Sequence, residues 1–190
     1  KYFKVPIVGV IRPGALAAVR RTRTRRVGVI GTTATIKSGA YEQAIHRLDP
    51  SIRVFSQSCP LFVPLVEEGW KTGEVVDAVV RKYIEPLAKE NIDSLILGCT
   101  HYPLLQAVIQ QELGPDVQLI DPATACARRT QQVLSEQNLL TPEIEGTKFE
   151  QLLDFTLEQD TIDLGTETKA SFRARRLAYR ANPQGHFDIR

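Results

Sequence analysis

The 190-residue sequence contains no methionine, one tryptophan and only three cysteines. Cys59, Cys99 and Cys126 are an odd, widely spaced set without a CxxC pair, which argues against a disulfide framework and a structural zinc site. No metal is expected. No apolar run approaches the roughly 20 residues needed to cross a bilayer, and the N-terminus lacks the charged, apolar and small-residue order of a signal peptide. These absences point to a cytoplasmic protein with no membrane partner. A large excess of one charge is missing too: 24 Lys+Arg stand against 22 Asp+Glu, too balanced to attract nucleic acid. Lys1 to Arg26 is nonetheless basic without one acid, and is read as a solvated helix face around Ala15 to Arg26. A chain that opens Lys1-Tyr2-Phe3 and lacks Met altogether is expected to continue upstream.

What is present is an alternation of short β-branched runs and longer helical patterns. Pro6 to Ile11, Arg26 to Gly31, Ser51 to Ser56, Ser94 to Gly98 and Val117 to Ile120 read as strands. Helices are expected at Ala40 to Leu48, at Val75 to Lys89 with Val75, Val76, Val79, Val80 and Ile84 on one face, and at Pro103 to Leu113. Gly114-Pro115 is a helix stop, and Asp121-Pro122 opens another helix through Leu134. Near-continuous apolar strands separated by helices imply βαβ units: an α/β fold with a parallel sheet covered on both faces. From about Gly146 the pattern weakens into a polar tail.

The most informative segment is Ser94-Leu95-Ile96-Leu97-Gly98-Cys99-Thr100-His101-Tyr102-Pro103. An apolar strand ends in Gly98, and Cys, Thr and His follow before a helix start. Three reactive side chains thus fall at the carboxyl end of a parallel strand, where open α/β sheets bind ligands. Helix N-terminal amides would attract a substrate carboxylate and favour thiolate at Cys99. Thr100 can donate to that carboxylate, and His101 can exchange a proton with Cys99 or orient the substrate.

Gly31-Thr32-Thr33-Ala34-Thr35 repeats the strand-to-helix geometry and could cradle an anion, or simply cap a helix. Cys59 to Gly69, with two prolines and two adjacent carboxylates, reads as a loop from which Glu67 could orient His101 or polarise the thiol. Cys59, before Pro60, and Cys126, between alanines, read as structural.

The run Leu97 to Leu105 resembles the second catalytic motif of the glutamate racemases, in the aspartate/glutamate racemase superfamily. Three further stretches agree in order: Val8 to Ala15, Val27 to Tyr41, and Cys59 to Gly69. The His after Cys-Thr separates the motif from aspartate racemases, which more often carry Glu there. The resemblance implies one α/β lobe of a two-lobed fold, with the active site between lobes. It also implies cofactor-free interconversion of L- and D-glutamate by two cysteines on opposite sides of the α-carbon, supplying D-glutamate for peptidoglycan. On the matching positions, Cys99 would be the second acid/base cysteine, His101 would serve catalysis and bind substrate, and Glu67 would support them. Thr100, Thr32 and Thr35 would contact the substrate. No cofactor is implied, glutamate is the small-molecule partner, and a homodimer is admissible.

The resemblance covers roughly Pro6 to Leu134. The family's Asp-Ser and Cys-Asn-Thr motifs, the latter bearing the first cysteine, occur nowhere in these 190 residues. Residues 1–118 are accordingly read as the second racemase lobe, and 119–190 as a return segment to the first lobe plus an atypical tail. Alone, such a chain is expected to be inactive. Two rival readings are a cysteine-dependent amidase or hydrolase using Cys99 and His101, and a non-catalytic glutamate-binding remnant.

Overall fold

The computed structural model describes residues 6–140. Four strands, β1 (Arg26–Gly31), β2 (Arg53–Ser58), β3 (Ser94–Leu97) and β4 (Gln118–Ile120), form one parallel sheet in the order β2-β1-β3-β4. Register is fixed by Val27 opposite Val54 and Ser94, and by Ile96 opposite Ile120. Side chains alternate across the sheet, so Val27, Val29 and Ile96 serve one face while Ile30, Leu95 and Leu97 serve the other. Both faces are covered, as an all-parallel sheet requires.

On the first face lie α1 (Ile11–Arg21), α3 (Ala40–Leu48) and α7 (Pro122–Glu136), with α2 (Thr33–Lys37) between β1 and α3. Ala15 and Ala18 of α1 are fully buried against Tyr41 and Ile45 of α3. Arg12, Arg20, Arg21, Arg23 and Arg25 of the basic stretch are exposed, whereas Arg26 is half-buried and pairs with Glu90 (3.0 Å), and the helix ends before Thr22-Arg23-Thr24-Arg25 turn into β1. On the second face lie α4 (Phe62–Glu67), α5 (Glu74–Ala88) and α6 (Gln106–Leu113), the last entered through a 3₁₀ turn at Tyr102–Leu105. Val76, Val80, Ile84 and Leu87 form the buried stripe of α5 at a spacing of three to four residues. Each such burial stabilises by roughly 1.5–3 kcal/mol before conformational entropy is counted.

Three sequence expectations are corrected. Pro6 to Ile11 is not a strand: residues 6–9 are irregular and Ile11 already begins α1. Short apolar runs do not distinguish strand from other states. The backbone here faces α7, where the Cys126 thiol donates to the Val8 carbonyl (3.9 Å), and Ile7 remains 77% exposed. The Cys59-to-Gly69 segment is not simply a loop. Its prolines precede α4 or fall in its first turn, where no intrahelical N–H is lost, while Phe62 and Val66, four apart, are buried. Val75 is exposed rather than on the apolar face of α5, since the stripe passes through Val76.

The remaining elements lie close to their expected positions. Asp121 caps α7, accepting from the amides of Ala123 (2.8 Å) and Thr124 (3.3 Å), with Pro122 in the first turn. The division placed at 118/119 stays a proposal. Within the described residues β4 spans 118–120 and α7 packs on α1, and the tail after Gly146 lies outside those residues.

Asp93 fastens the end of α1 to the start of β3. Its carboxylate accepts from Thr22 Oγ1 (2.7 Å) and from the amides of Arg23 (2.5 Å) and Thr24 (2.6 Å). Burial raises its pKa, but these hydrogen bonds outweigh it and hold the carboxyl below its ordinary range. A lowered folded value means that the stabilisation is fully present above the unfolded carboxyl pKa of about 3.9, and is lost as pH falls through the folded value. Asp93→Asn should therefore lower stability at neutral pH by about 1–2 kcal/mol. The loss should shrink at acid pH, as measured by urea unfolding at pH 7 and pH 3.

Candidate active site

Strand order places the site. β1 is continued outward to β2 by α2 and α3, while the chain after β2 crosses back over β1 to β3, so the direction of winding reverses between β1 and β3. Loops leaving adjacent strands at such a reversal part from one another and open a crevice at the carboxyl ends. The register Ile30 opposite Leu97 brings Thr32 and Cys99, each two residues further on, to this crevice.

Gly98 makes the approach possible. Its amide donates to the Ile30 carbonyl (2.7 Å), and a Cβ at this position would lie 2.6 Å from that oxygen and 3.1 Å from the Tyr41 ring. Cys99 follows in a bend and is half-buried. Burial pushes its thiol pKa up, and the amides of His101, Thr100 and Tyr102 pull it down without cancelling that rise. The amides thus act in the expected sense, but desolvation, with Glu67 adding to it, prevails and holds the thiol pKa above its ordinary value.

His101 Nδ1 lies 3.7 Å from Cys99 Sγ and 3.5 Å from Thr100 Oγ1, while its Nε2 lies 3.3 Å from Glu67 Oε1. Glu67 reaches the imidazole from the last turn of α4. If Nε2–H donates to this carboxylate, Nδ1 is left as the acceptor facing the thiol. The three groups form a line from an exposed carboxylate to a half-buried sulfur. Thr100 is exposed beside them.

Thr32 caps α2, accepting from the Thr35 amide (3.3 Å), and the two hydroxyls are 3.0 Å apart. Both are half-buried on the β1 side of the crevice. Capping and lining are therefore compatible here, because the capping oxygen is itself at the strand end. Among the described residues no group of three His, Cys, Asp or Glu side chains could hold a metal ion.

Two tyrosines that the sequence analysis did not single out hold this geometry. Tyr102 is fully buried, and its hydroxyl donates to the Cys59 carbonyl (2.9 Å), tying the loop after β3 to the loop after β2. Its ring meets Phe62 edge-on at 5.1 Å, which seats α4 and thus Glu67. Tyr41 packs beneath Gly98, and burial, with Asp121 and the thiols of Cys126 and Cys99 nearby, pushes its phenol up to about 12. A tyrosine directly after the Cys-Thr-His run was the available signal for the first. Cys59 is wholly buried and Cys126 only partly, on α7. Tyr102→Phe removes one hydrogen bond to a carbonyl that also accepts from the Phe62 amide. The expected loss is about 1 kcal/mol, seen as a lower urea midpoint at unchanged m-value.

A cysteine, a histidine and a carboxylate thus meet at the switch point of a parallel α/β lobe. Residues 1–130 match the Asp/Glu/Hydantoin racemase family, and the chain belongs to that family. It is 52% identical over 139 residues to a glutamate racemase of Syntrophus aciditrophicus, covering 73% of this chain and 52% of that protein. Among solved structures it resembles glutamate racemase isoform RacE1 from Bacillus anthracis, with a TM-score of 0.72 at 42% identity, covering 74% of this chain and 53% of that one. It also resembles the Francisella tularensis glutamate racemase in complex with D-glutamate, with a TM-score of 0.69 at 39% identity, over 74% and 52% of the two chains. The chain spans about half the length of the curated relatives it matches. Among the described residues no helix is long and apolar enough to cross a membrane.

Proposed function

We propose that this chain supplies one half of a glutamate racemase, with Cys99 as one of two acid/base cysteines. The observation that carries the reading is Cys99 Sγ at the switch-point crevice, 3.7 Å from an imidazole whose far nitrogen meets Glu67. Similarity to glutamate racemases, one of them bound to D-glutamate, supports the substrate.

In one direction a second cysteine, as thiolate, takes the α-proton, and the Cys99 thiol gives its proton to the opposite face of the carbanion-like centre. In the other direction Cys99 is the base, and its proton can first pass to His101 Nδ1. Each turnover moves one proton off the carbon and one on, so no net oxidant or reductant is needed. Thr100 and His101 bind the substrate, with Thr32 and Thr35 lining the pocket across the crevice. Glu67 positions His101. The protons are moved by side chains alone, and catalysis rests on placement and on dipoles aimed at developing charge.

On this reading the 190 residues alone have little or no racemase activity, because Cys59 is enclosed in the core and Cys126 is partly buried on α7. The full assembly works in the cytoplasm as a source of D-glutamate for peptidoglycan, and a homodimer is compatible with it. The test is proton NMR of L-glutamate in D₂O with a racemase carrying this lobe and the second cysteine. Loss of the α-proton signal together with growth of D-glutamate is expected. A burst of acyl-enzyme with activated esters and no α-exchange would instead favour a cysteine hydrolase, which the Cys99, His101 and Glu67 alignment also permits.

A further inference from the structure

Two donors compete for one lone pair beside Cys99. When Nε2–H donates to Glu67 Oε1 (3.3 Å), His101 Nδ1 is an acceptor with a single lone pair in the plane of the ring. The Thr100 hydroxyl lies 3.5 Å from this nitrogen and the Cys99 thiol 3.7 Å. Only one of them can donate to it at a time. A hydroxyl is an ordinary donor and a thiol a weak one, so the hydroxyl has the advantage. Burial acts in the same sense, because it favours the protonated sulfur. In the free lobe the sulfur therefore keeps its proton, and the base beside it is occupied.

We infer that Thr100 gates the Cys99 base: its hydroxyl occupies His101 Nδ1 until a substrate carboxylate draws the hydroxyl away, and Nδ1 then accepts the Cys99 proton. The hydroxyl exchanges a nitrogen acceptor for a carboxylate oxygen. The Sγ–H bond then breaks as the Nδ1–H bond forms, the imidazolium stays against Glu67, and the thiolate is left to take the α-proton. Reactive sulfur thus arises only beside a bound carboxylate, and Thr100 acts on the chemistry as well as on binding. The release step rests on the racemase reading. The competition at Nδ1 rests on distances within this lobe alone.

Alkylation of the 190-residue chain by iodoacetamide tests it, with each cysteine followed by peptide mass spectrometry. The reagent is uncharged and is no rival for the hydroxyl. Thr100→Val keeps the side-chain shape without the hydroxyl, and Cys99 should then react about fivefold faster, the size of one ordinary hydrogen bond. Thr100→Ser should react like the native chain, and Thr100→Val should add nothing to His101→Ala. Cys126, partly buried on α7, is the internal control, and its rate should not move. Molar acetate, with ionic strength matched by chloride, should speed Cys99 in the native chain toward the Thr100→Val rate and leave Thr100→Val unchanged. A Thr100 that only binds substrate predicts equal Cys99 rates in the native chain and in Thr100→Val. That result would overturn the inference, as would an acceleration by Thr100→Val that survives in His101→Ala, or acetate without effect on the native chain. The racemase reading fails separately, by absence of α-proton exchange in the complete enzyme, since these rates are read without glutamate or a second lobe.

Discussion

Replacing Cys99 by serine, in a racemase that carries this lobe and the second cysteine, should abolish racemisation in both directions. The fall should be at least about 10³-fold, within the range that a positioned acid or base contributes. A serine hydroxyl neither releases nor delivers a proton at the required acidity, whichever face of the substrate it meets. Binding of glutamate should stay measurable by calorimetry, since the threonine hydroxyls and backbone amides are untouched. Retained turnover would remove Cys99 from the chemistry. The wild-type protein should carry a matching pH signature, because burial raises the Cys99 thiol above its ordinary value. The direction that uses Cys99 as base should quicken with rising pH and level off only above the ordinary thiol pKa of about 8.5. The direction that uses it as the proton donor should lack that rise.

Gly98→Ala is the second large effect. The added methyl would sit 2.6 Å from the Ile30 carbonyl oxygen, and backbone in the middle of a sheet cannot swing aside as a side chain can. Either β3 or β1 must shift, at about 2–3 kcal/mol, the upper range for forcing atoms into a packed core. Cys99 is the next residue, so the displacement passes directly to the sulfur. A misplacement of about 1 Å is enough to cost on the order of 10²-fold in turnover. Urea unfolding and steady-state kinetics of the same variant check both halves. Gly28→Ala provides the contrast: its methyl would meet the flexible ends of Ile92 and Leu95 at 2.6 and 2.8 Å, and it lies far from the crevice. That variant should lose stability with turnover largely kept.

The family resemblance was legible because the residues that carry it are contiguous. Leu97 to Leu105 contains the strand end, the thiol, its imidazole and the tyrosine that anchors them, and a run of nine residues needs no tertiary contact to be read. The helices at Ala40 to Leu48 and after Asp121-Pro122 were equally plain, since the apolar spacing of the first and the Asp121 cap of the second are local. Pro6 to Ile11 misled for the opposite reason. Its β-branched residues suit a strand, but a strand exists only where a neighbour offers hydrogen bonds, and here the neighbour is the side of α7. The α4 turn was hidden by its prolines, which discourage a helix in general yet cost little at its start.

By itself the sequence determined the chemistry: which reactive groups exist, that Cys99 ends an apolar strand, and that strands alternate with helices, because composition, spacing and capping act over a few residues. Only the tertiary structure decided which strand ends become neighbours. The order β2-β1-β3-β4 sets the crevice between β1 and β3, and with it the adjacency of the strand ends that carry Thr32 and Cys99 and the meeting of Glu67 with His101 across 34 positions of chain. Depth of burial was decided there as well. Desolvation of Cys99 depends on what the fold packs around the sulfur, and it outweighs the local amides from which a thiolate would have been expected.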